Sequence, residues 1–231
     1  MMATILAVFA HPDDETFICG GTLAKYAYDG HRVVLVCATK GEMGRRMGVP
    51  PIATRESIPK LREQELINAC KALHIEELRF LGIRDKLLEI HPFESLTQIV
   101  YEQMNDVKPD AVITFHETLG GHPDHCTIGL ATKSAFARYA KINREAELYY
   151  VCWSNVAQDP KVYGFLLEQI TEINVKNEHL HKLRAYRAHK TQSEMDAWVW
   201  EDDQKSVSHF QSHEYFIKAH EPFILNKQSL I

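Results

Sequence analysis

Short apolar runs and amphipathic stretches take turns along the first two-thirds of the chain. The runs "TILAVF" (4–9) and "RVVLVCA" (32–38) are rich in β-branched residues and too short for helices, so they predict strands buried on both faces. Between them, "ETFICGGTLAKYAYDG" (15–30) carries Phe17, Ile18, Leu23, Ala24 and Ala27 at helical spacing and stops at Gly30, as a helix C-terminus does. The pattern then repeats. "KLREQELINACKALH" (60–74) presents Leu61, Leu66, Ile67, Cys70 and Leu73 on one face and precedes a short strand, "LRFLG". A helix over 92–107, a buried strand "DAVITF" (110–115), a helix over 123–140 and a strand "ELYYVCW" (147–153) follow. Strands alternating with helices predict an α/β fold with a Rossmann-like, mostly parallel sheet and helices on both faces, expected as one domain over 1–231.

The last third is less regular. "NEHLHKLRAYRAHK" (177–190) reads as a helix, and "HEYFIKAH" (213–220) alternates enough for a strand. The loop over 39–59 is rich in Gly, Pro and charge, and a loop of that length in a compact domain is more often functional than idle.

Composition changes this picture little. The 231 residues suffice for a proper core, and 45% hydrophobic with 25% charged residues is ordinary for a globular chain. A formal net charge of −5 leaves no electrostatic footprint for nucleic acid or an anionic membrane. The five cysteines show no C-x-x-C pair and mostly fall in apolar segments, which predicts reduced, core-filling thiols; Cys126 stands apart because it adjoins His125. The N-terminus lacks a basic leader segment, and no apolar run approaches the ~18 residues of a membrane span. A soluble, cytoplasmic protein is expected, without nucleic-acid or membrane partners.

The chemistry concentrates at two strand ends. In an open α/β sheet, ligands bind beyond the carboxyl ends of the strands. "HPDDE" (11–15) falls there after the first strand, and "HETLGGHPDH" (116–125) falls there after "DAVITF". One His-Pro-Asp alone is ordinarily a turn, in which Pro fixes φ and Asp caps the next helix. Two of them at the same end of one sheet point to a cation, because that many carboxylates buried without partners would cost several kcal/mol per ion. His11, Asp14 and His125 make a His₂-carboxylate set. Three protein ligands plus a water is the pattern of a catalytic zinc site, whereas structural sites close with four, mostly Cys. One Zn²⁺ per chain is expected, with Fe²⁺ able to use the same ligands. A nucleotide-binding module is the rival from another class, but "GGTLA" is not G-x-G-x-x-G, and the carboxylates of "HPDDE" would repel a pyrophosphate. A two-metal phosphoesterase is a further alternative, although the visible ligands suffice for one ion.

In this order, "AHPDDE", "TKGEMG", "LREQEL", "GIRDK" and "GGHPDH" resemble the LmbE / PIG-L family of zinc-dependent N-acetylglucosamine deacetylases. The resemblance runs from about residue 4 to 153 and resumes weakly at "RAHKTQ" (187–192). The fuller stretch "GEMGRRMGVPPIATRESIPKLREQEL" with "RDK" is similar to one branch, the second-type deacetylases of bacillithiol biosynthesis. It implies removal of acetyl from an N-acetylglucosamine conjugate, which in that branch is N-acetylglucosaminyl malate. Amide hydrolysis of bacillithiol S-conjugates is the alternative within the family. The resemblance further implies that His11, Asp14 and His125 ligate zinc and that Asp13 is the general base. It implies that His122 stabilises the oxyanion or protonates the leaving amine, with Asp124 orienting it. Arg62 is implied as a substrate contact, and Glu42 and Asp85 as polar positions lining the sugar site. The expected partners are a small amino-sugar conjugate and further copies of the chain, as a homo-oligomer. The loop "FHETLGG" lacks the tyrosine that the family often carries there.

Other residues keep two readings each. Arg45 and Arg46 belong either to an ordinary charged loop or to a surface that attracts a carboxylate-bearing substrate. His189 and Gln192 are either surface residues or part of a cover over the site. Trp153, Trp198 and Trp200 read as packing residues, with a sugar-stacking platform as the alternative.

Overall fold

The computed structural model describes residues 2–219, so His220, the last residue of the expected strand 213–220, lies outside the described residues. The chain runs β1 (Thr4–Phe9), α1 (Asp14–Tyr28), β2 (Arg32–Cys37), α2 (Ile58–Ala72) and β3 (Glu77–Phe80). It continues through α3 (Phe93–Val107), β4 (Ala111–Thr114), α4 (Pro123–Tyr139) and β5 (Glu147–Cys152). These five strands run parallel to one another, and β1 lies between β2 and β4: Leu6 pairs with Val34 of β2 and with Val112 of β4. Every β1 residue from Ile5 onward is buried, as expected of a strand with helices over both faces.

The winding places the site. From β1 the chain steps outward to β2 and β3, then returns to the other side of β1 as β4 and β5. Right-handed crossovers put α1 and α2 on one face and α3 and α4 on the other. The reversal lies between β1 and β4, and the crevice outside their carboxyl ends is where such sheets bind ligands. "HPDDE" leaves β1 there and "HETLGGHPDH" leaves β4 there, so hydrogen-bonded neighbours in the sheet bring the two motifs side by side.

Beyond β5 come α5 (Ser154–Gln158), β6 (Ile170–Asn174), α6 (His179–Ala188), α7 (Lys190–Ser193), α8 (Asp203–Ser208) and β7 (His213–Lys218). β7 pairs antiparallel with β5, and β6 pairs antiparallel with β7, giving the order β3-β2-β1-β4-β5-β7-β6. The sheet is thus mixed, with an antiparallel pair added to a parallel core. The helix expected over 177–190 is interrupted. A short turn of 3₁₀ helix at Lys176–Glu178 precedes α6, and His189 forms the joint between α6 and α7. α6 packs against both α1 and α2.

Two contacts anchor the core to the crevice. Phe115, just after β4, meets Phe9 edge-on with ring centres 5.2 Å apart. Gly129 of α4 lies directly on the Phe115 carbonyl oxygen, and a Cβ there would overlap it. All five cysteines are free thiols, and Cys19, Cys37, Cys70 and Cys152 are buried, as their apolar surroundings predict. Among the described residues no helix is long and apolar enough to cross a membrane.

Candidate metal centre

The first arm of the site depends on an unusual backbone. Asp13 sits at φ 110°, a left-handed conformation that non-glycine residues rarely adopt and that persists only when its surroundings impose it. Its N–H donates to Glu15 Oε2 at 3.0 Å, and its carbonyl accepts from the N–H of Thr16 and Phe17. Arg62 donates to the carbonyl of Pro12 just before it. The twist turns two consecutive carboxylates in different directions. Asp13 Oδ2 accepts from Arg62 at 2.8 Å, while Asp14 Oδ1 lies 3.2 Å from His125 Nε2.

The second arm starts α4. His122 is its N-cap, with Nδ1 accepting from the N–H of Asp124 at 3.1 Å, and Pro123 occupies the first helical turn, where its missing N–H costs nothing. Asp124 and His125 therefore project from the first turn toward β1. The His125 ring lies flat on Phe115, with centres 3.9 Å apart and planes 3° from parallel.

The tautomers follow from the outer partners. His11 Nε2 faces Asp124 Oδ2 at 3.1 Å and Asp85 Oδ1 at 3.3 Å, and an imidazole between two carboxylates carries its proton on that side. His125 Nδ1 donates to the Gly120 carbonyl at 2.9 Å. The inner nitrogens, His11 Nδ1 and His125 Nε2, are then both lone pairs, yet they face each other at 3.2 Å. Asp14 completes the triangle, with Oδ2 3.7 Å from His11 Nδ1 and Oδ1 3.2 Å from His125 Nε2. Without a metal, a proton on either ring relieves this contact, and a bound cation would take that proton's place. A tetrahedral ion with bonds of about 2.0–2.2 Å needs donors about 3.3–3.6 Å apart, close to the spacings here. The donor set therefore fits a divalent metal. One nitrogen each of His11, His122 and His125 also fall within 4.8 Å of one another, as do one atom each of His11, Asp85 and Asp124, while Asp14 approaches the two rings through different oxygens.

The site's charges are arranged to hold positive charge. Burial alone would lower His11, but its hydrogen bonds to Asp124 and Asp85 and the charge of Asp14 outweigh it and raise the ring to about 10. His125 is raised too, because Asp14 outweighs burial. Burial pushes Asp13 up to about 6 against the pull of Arg62. His122 is lowered by burial and by the two neighbouring imidazoles, so it is neutral at pH 7.

Around these groups lies a cleft of about 460 Å³, lined by His11, Asp13, Asp14, Asp85, His122 and His125 together with Arg45, Arg62, Lys86 and Gln192. Two sequence expectations change here. Arg62 lines the cleft, as expected of a substrate contact, although it is only 4% exposed and its terminal nitrogens bond Asp13, Pro12 O and Gly41 O. Gly41 (φ 63°) makes this possible, because a Cβ there would overlap the guanidinium. Glu42, expected at the sugar, instead accepts from the N–H of Asp85 at 3.0 Å behind the cleft wall, while Asp85 returns a bond from Met43 N at 2.8 Å. Asp124, expected to orient His122, turns its carboxylate to His11 and to the N–H of Lys86 (3.0 Å); it is the Asp124 backbone that holds His122. Asp85 does line the cleft, as expected of a sugar-site position, and also supports His11.

One layer went unread in the sequence. Glu15, the last residue of "HPDDE", is buried and accepts from His189 Nε2 at 2.6 Å, so His189 is neither a surface residue nor part of a cover. Glu65 likewise accepts from the Thr191 N–H and hydroxyl, at 2.8 and 2.6 Å. "RAHKTQ" was visible as a motif, but nothing in the sequence paired His189 with Glu15 or Thr191 with Glu65. The loop over 39–57 closes against this segment through Arg46, which bonds Asp196 and the Gln192 carbonyl.

Residues 6–136 match the family model described as PIG-L, GlcNAc-PI de-N-acetylase. A relative from Bacillus subtilis (strain 168), named probable N-acetyl-alpha-D-glucosaminyl L-malate deacetylase 2, is 41% identical over 194 residues, covering 84% of this chain and 85% of its own. The structure of N,N'-diacetylchitobiose deacetylase from Pyrococcus horikoshii superimposes with a TM-score of 0.68 at 18% identity, over 94% of this chain and 84% of that one. A 4-carboxy-2-hydroxymuconate hydratase from Pseudomonas putida superimposes as well, with a TM-score of 0.69 at 16% identity, over 96% and 98% of the two chains. These structural likenesses describe the fold alone, since one fold hosts several chemistries. The paired motifs, the mixed sheet and the sequence match together establish that the chain belongs to the PIG-L family of GlcNAc-PI de-N-acetylases.

Proposed function

We propose that the chain, as one domain, is a zinc-dependent N-deacetylase that removes acetate from N-acetylglucosaminyl malate in bacillithiol biosynthesis. The observation that carries this reading is the convergence of His11 Nδ1, His125 Nε2 and Asp14 with the Asp13 carboxylate beside them. The name of the Bacillus subtilis relative supports the substrate. A dication held by His11, Asp14 and His125 supplies a water of lowered pKa, near 7, and polarises the amide carbonyl.

The chain's own residues manage the protons. Asp13, at about 6, is ionised at neutral pH yet basic enough to take a proton from the attacking water. Its bond to Arg62 holds the carboxylate in place while leaving its other oxygen for the water. Because His122 Nδ1 accepts from the Asp124 N–H, the neutral ring carries its hydrogen on Nε2. Of the two roles open to it, donation of a hydrogen bond to the developing oxyanion is the one this tautomer favours. Asp13 then returns its proton to the amine nitrogen as the C–N bond breaks, and acetate and the free amino sugar leave. The test is release of free amine from N-acetylglucosaminyl malate by purified protein loaded with Zn²⁺ or Fe²⁺. No release from this or any other N-acetylglucosamine conjugate, with either metal, would overturn the proposal.

A further inference from the structure

Most of the cations around the cleft are already spent. Arg62 is bound to Asp13, Arg46 to Asp196, Arg55 to the carbonyls of Glu42 and Gly44, and Lys40 to Glu63. Arg45 and Lys86 differ. Both side chains are exposed, both line the cleft, and among the described residues neither makes a hydrogen bond or ion pair. They reach the cleft from separate loops, 39–57 and 81–92, which are joined by the reciprocal bonds between Asp85, Glu42 and Met43.

Lys86 is held with particular care. Its backbone is left-handed (φ 64°), a conformation that non-glycine residues rarely adopt, and its N–H donates to Asp124 Oδ2, the same oxygen that bonds His11. The backbone of Lys86 is thus pinned two hydrogen bonds from a metal-facing ring, while its four-carbon stem, with a reach of about 6 Å, stays free. Charge completes the argument. Arg62 is already paired with Asp13, so Arg45 and Lys86 remain as the unpaired cations lining the cleft.

We infer that Arg45 and Lys86 form a carboxylate-binding subsite that selects a dicarboxylate aglycone on the substrate. The inference rests on the deacetylase reading above. Malate joined to a sugar through its single hydroxyl keeps both carboxylates, which matches two unpaired cations lining one cleft from separate loops. A loop arginine can bind one carboxylate in a bidentate fork, and the lysine can follow the other as a mobile point charge.

The experiment compares kcat/KM for N-acetylglucosaminyl malate with that for the neutral methyl N-acetylglucosaminide, in the metal-loaded protein and in Arg45→Met, Lys86→Met and the double variant. The unmodified protein is expected to favour the malyl substrate. Each single change should cut that preference about tenfold to a hundredfold, as loss of a hydrogen bond to a charged group does. Lys86→Arg should restore much of it, and added salt should erode it in the unmodified protein. If the unmodified protein favours the malyl substrate and the variants keep that preference, the subsite is wrong while the deacetylase reading stands. If it deacetylates the neutral glycoside and ignores the malyl one, the malyl substrate and the subsite fall together.

Discussion

His189 Nε2 lies 2.6 Å from Glu15 Oε1, and both side chains are buried to within 1% of complete. The second oxygen of Glu15 accepts the N–H of Asp13, so this pair is what keeps Asp13 in its left-handed conformation. Removing the imidazole leaves a buried carboxylate without its partner, which typically costs about 3–5 kcal/mol. His189→Ala should lose about that much stability in urea unfolding, and His189→Gln, which keeps a donor, less.

The same pair gives stability a pH dependence. Burial alone would lower His189, but the charge of Glu15 and its hydrogen bond outweigh it and raise the ring above its ordinary 6.5. A raised histidine contributes fully below its unfolded pKa and loses that contribution as pH rises through the folded one. The stability gap between the unmodified protein and His189→Gln should therefore be widest near pH 6 and narrow toward pH 9. A gap that widens with pH would contradict the assignment.

Asp13 and Asp14 are adjacent in sequence and opposite in task. Asp14→Asn removes an anionic ligand, so metal content should drop and excess metal should partly restore activity. Asp13→Asn should keep its metal but lose roughly 10²–10⁴-fold in rate, without rescue by added metal. Metal analysis of both variants decides, and loss of metal from Asp13→Asn alone would reverse the roles.

The bond from Arg62 to Asp13 predicts that Arg62 acts through that carboxylate rather than on the aglycone. Arg62→Lys cannot bond Asp13, Pro12 O and Gly41 O together with the same fork, so kcat should fall for charged and neutral substrates alike. A selective rise in KM for the acidic substrate would return Arg62 to a direct substrate contact.

Asp124 supports His11 from outside. Asp124→Ala should weaken metal affinity about 10–100-fold, the usual effect of losing a carboxylate behind a ligating histidine, and competition with a chromogenic chelator reads it directly.

Much of this was legible in the chain. The runs at 4–9, 32–37 and 147–152 are buried on both faces, so they read as continuous apolar strands and fall within a residue or so of the observed ends. β6 was not, because "ITEIN" is a short edge strand, half exposed, and its polar residues look like loop. The residues proposed to hold the metal stand out because they sit in short motifs at strand ends. The partners of Arg62 and Asp124 do not, since each depends on where a distant loop folds back: the Gly41 turn for one, the left-handed Lys86 for the other. His189 was ambiguous because a buried histidine and a surface one look alike until the helix joint that aims it is known.

Phe115 touches β1 through its ring, α4 through its carbonyl, and His125 through its flat face. The floor of the metal centre is therefore the same residue that sets how deeply α4 seats, with Gly129 one turn beyond His125. A single methyl added at Gly129 would lift the helix and carry His125 away from His11 and Asp14, although Gly129 has no functional group of its own. Ligand spacing in this enzyme is a property of its oily interior, and a change deep among apolar atoms would be read first as a change in which metal it keeps.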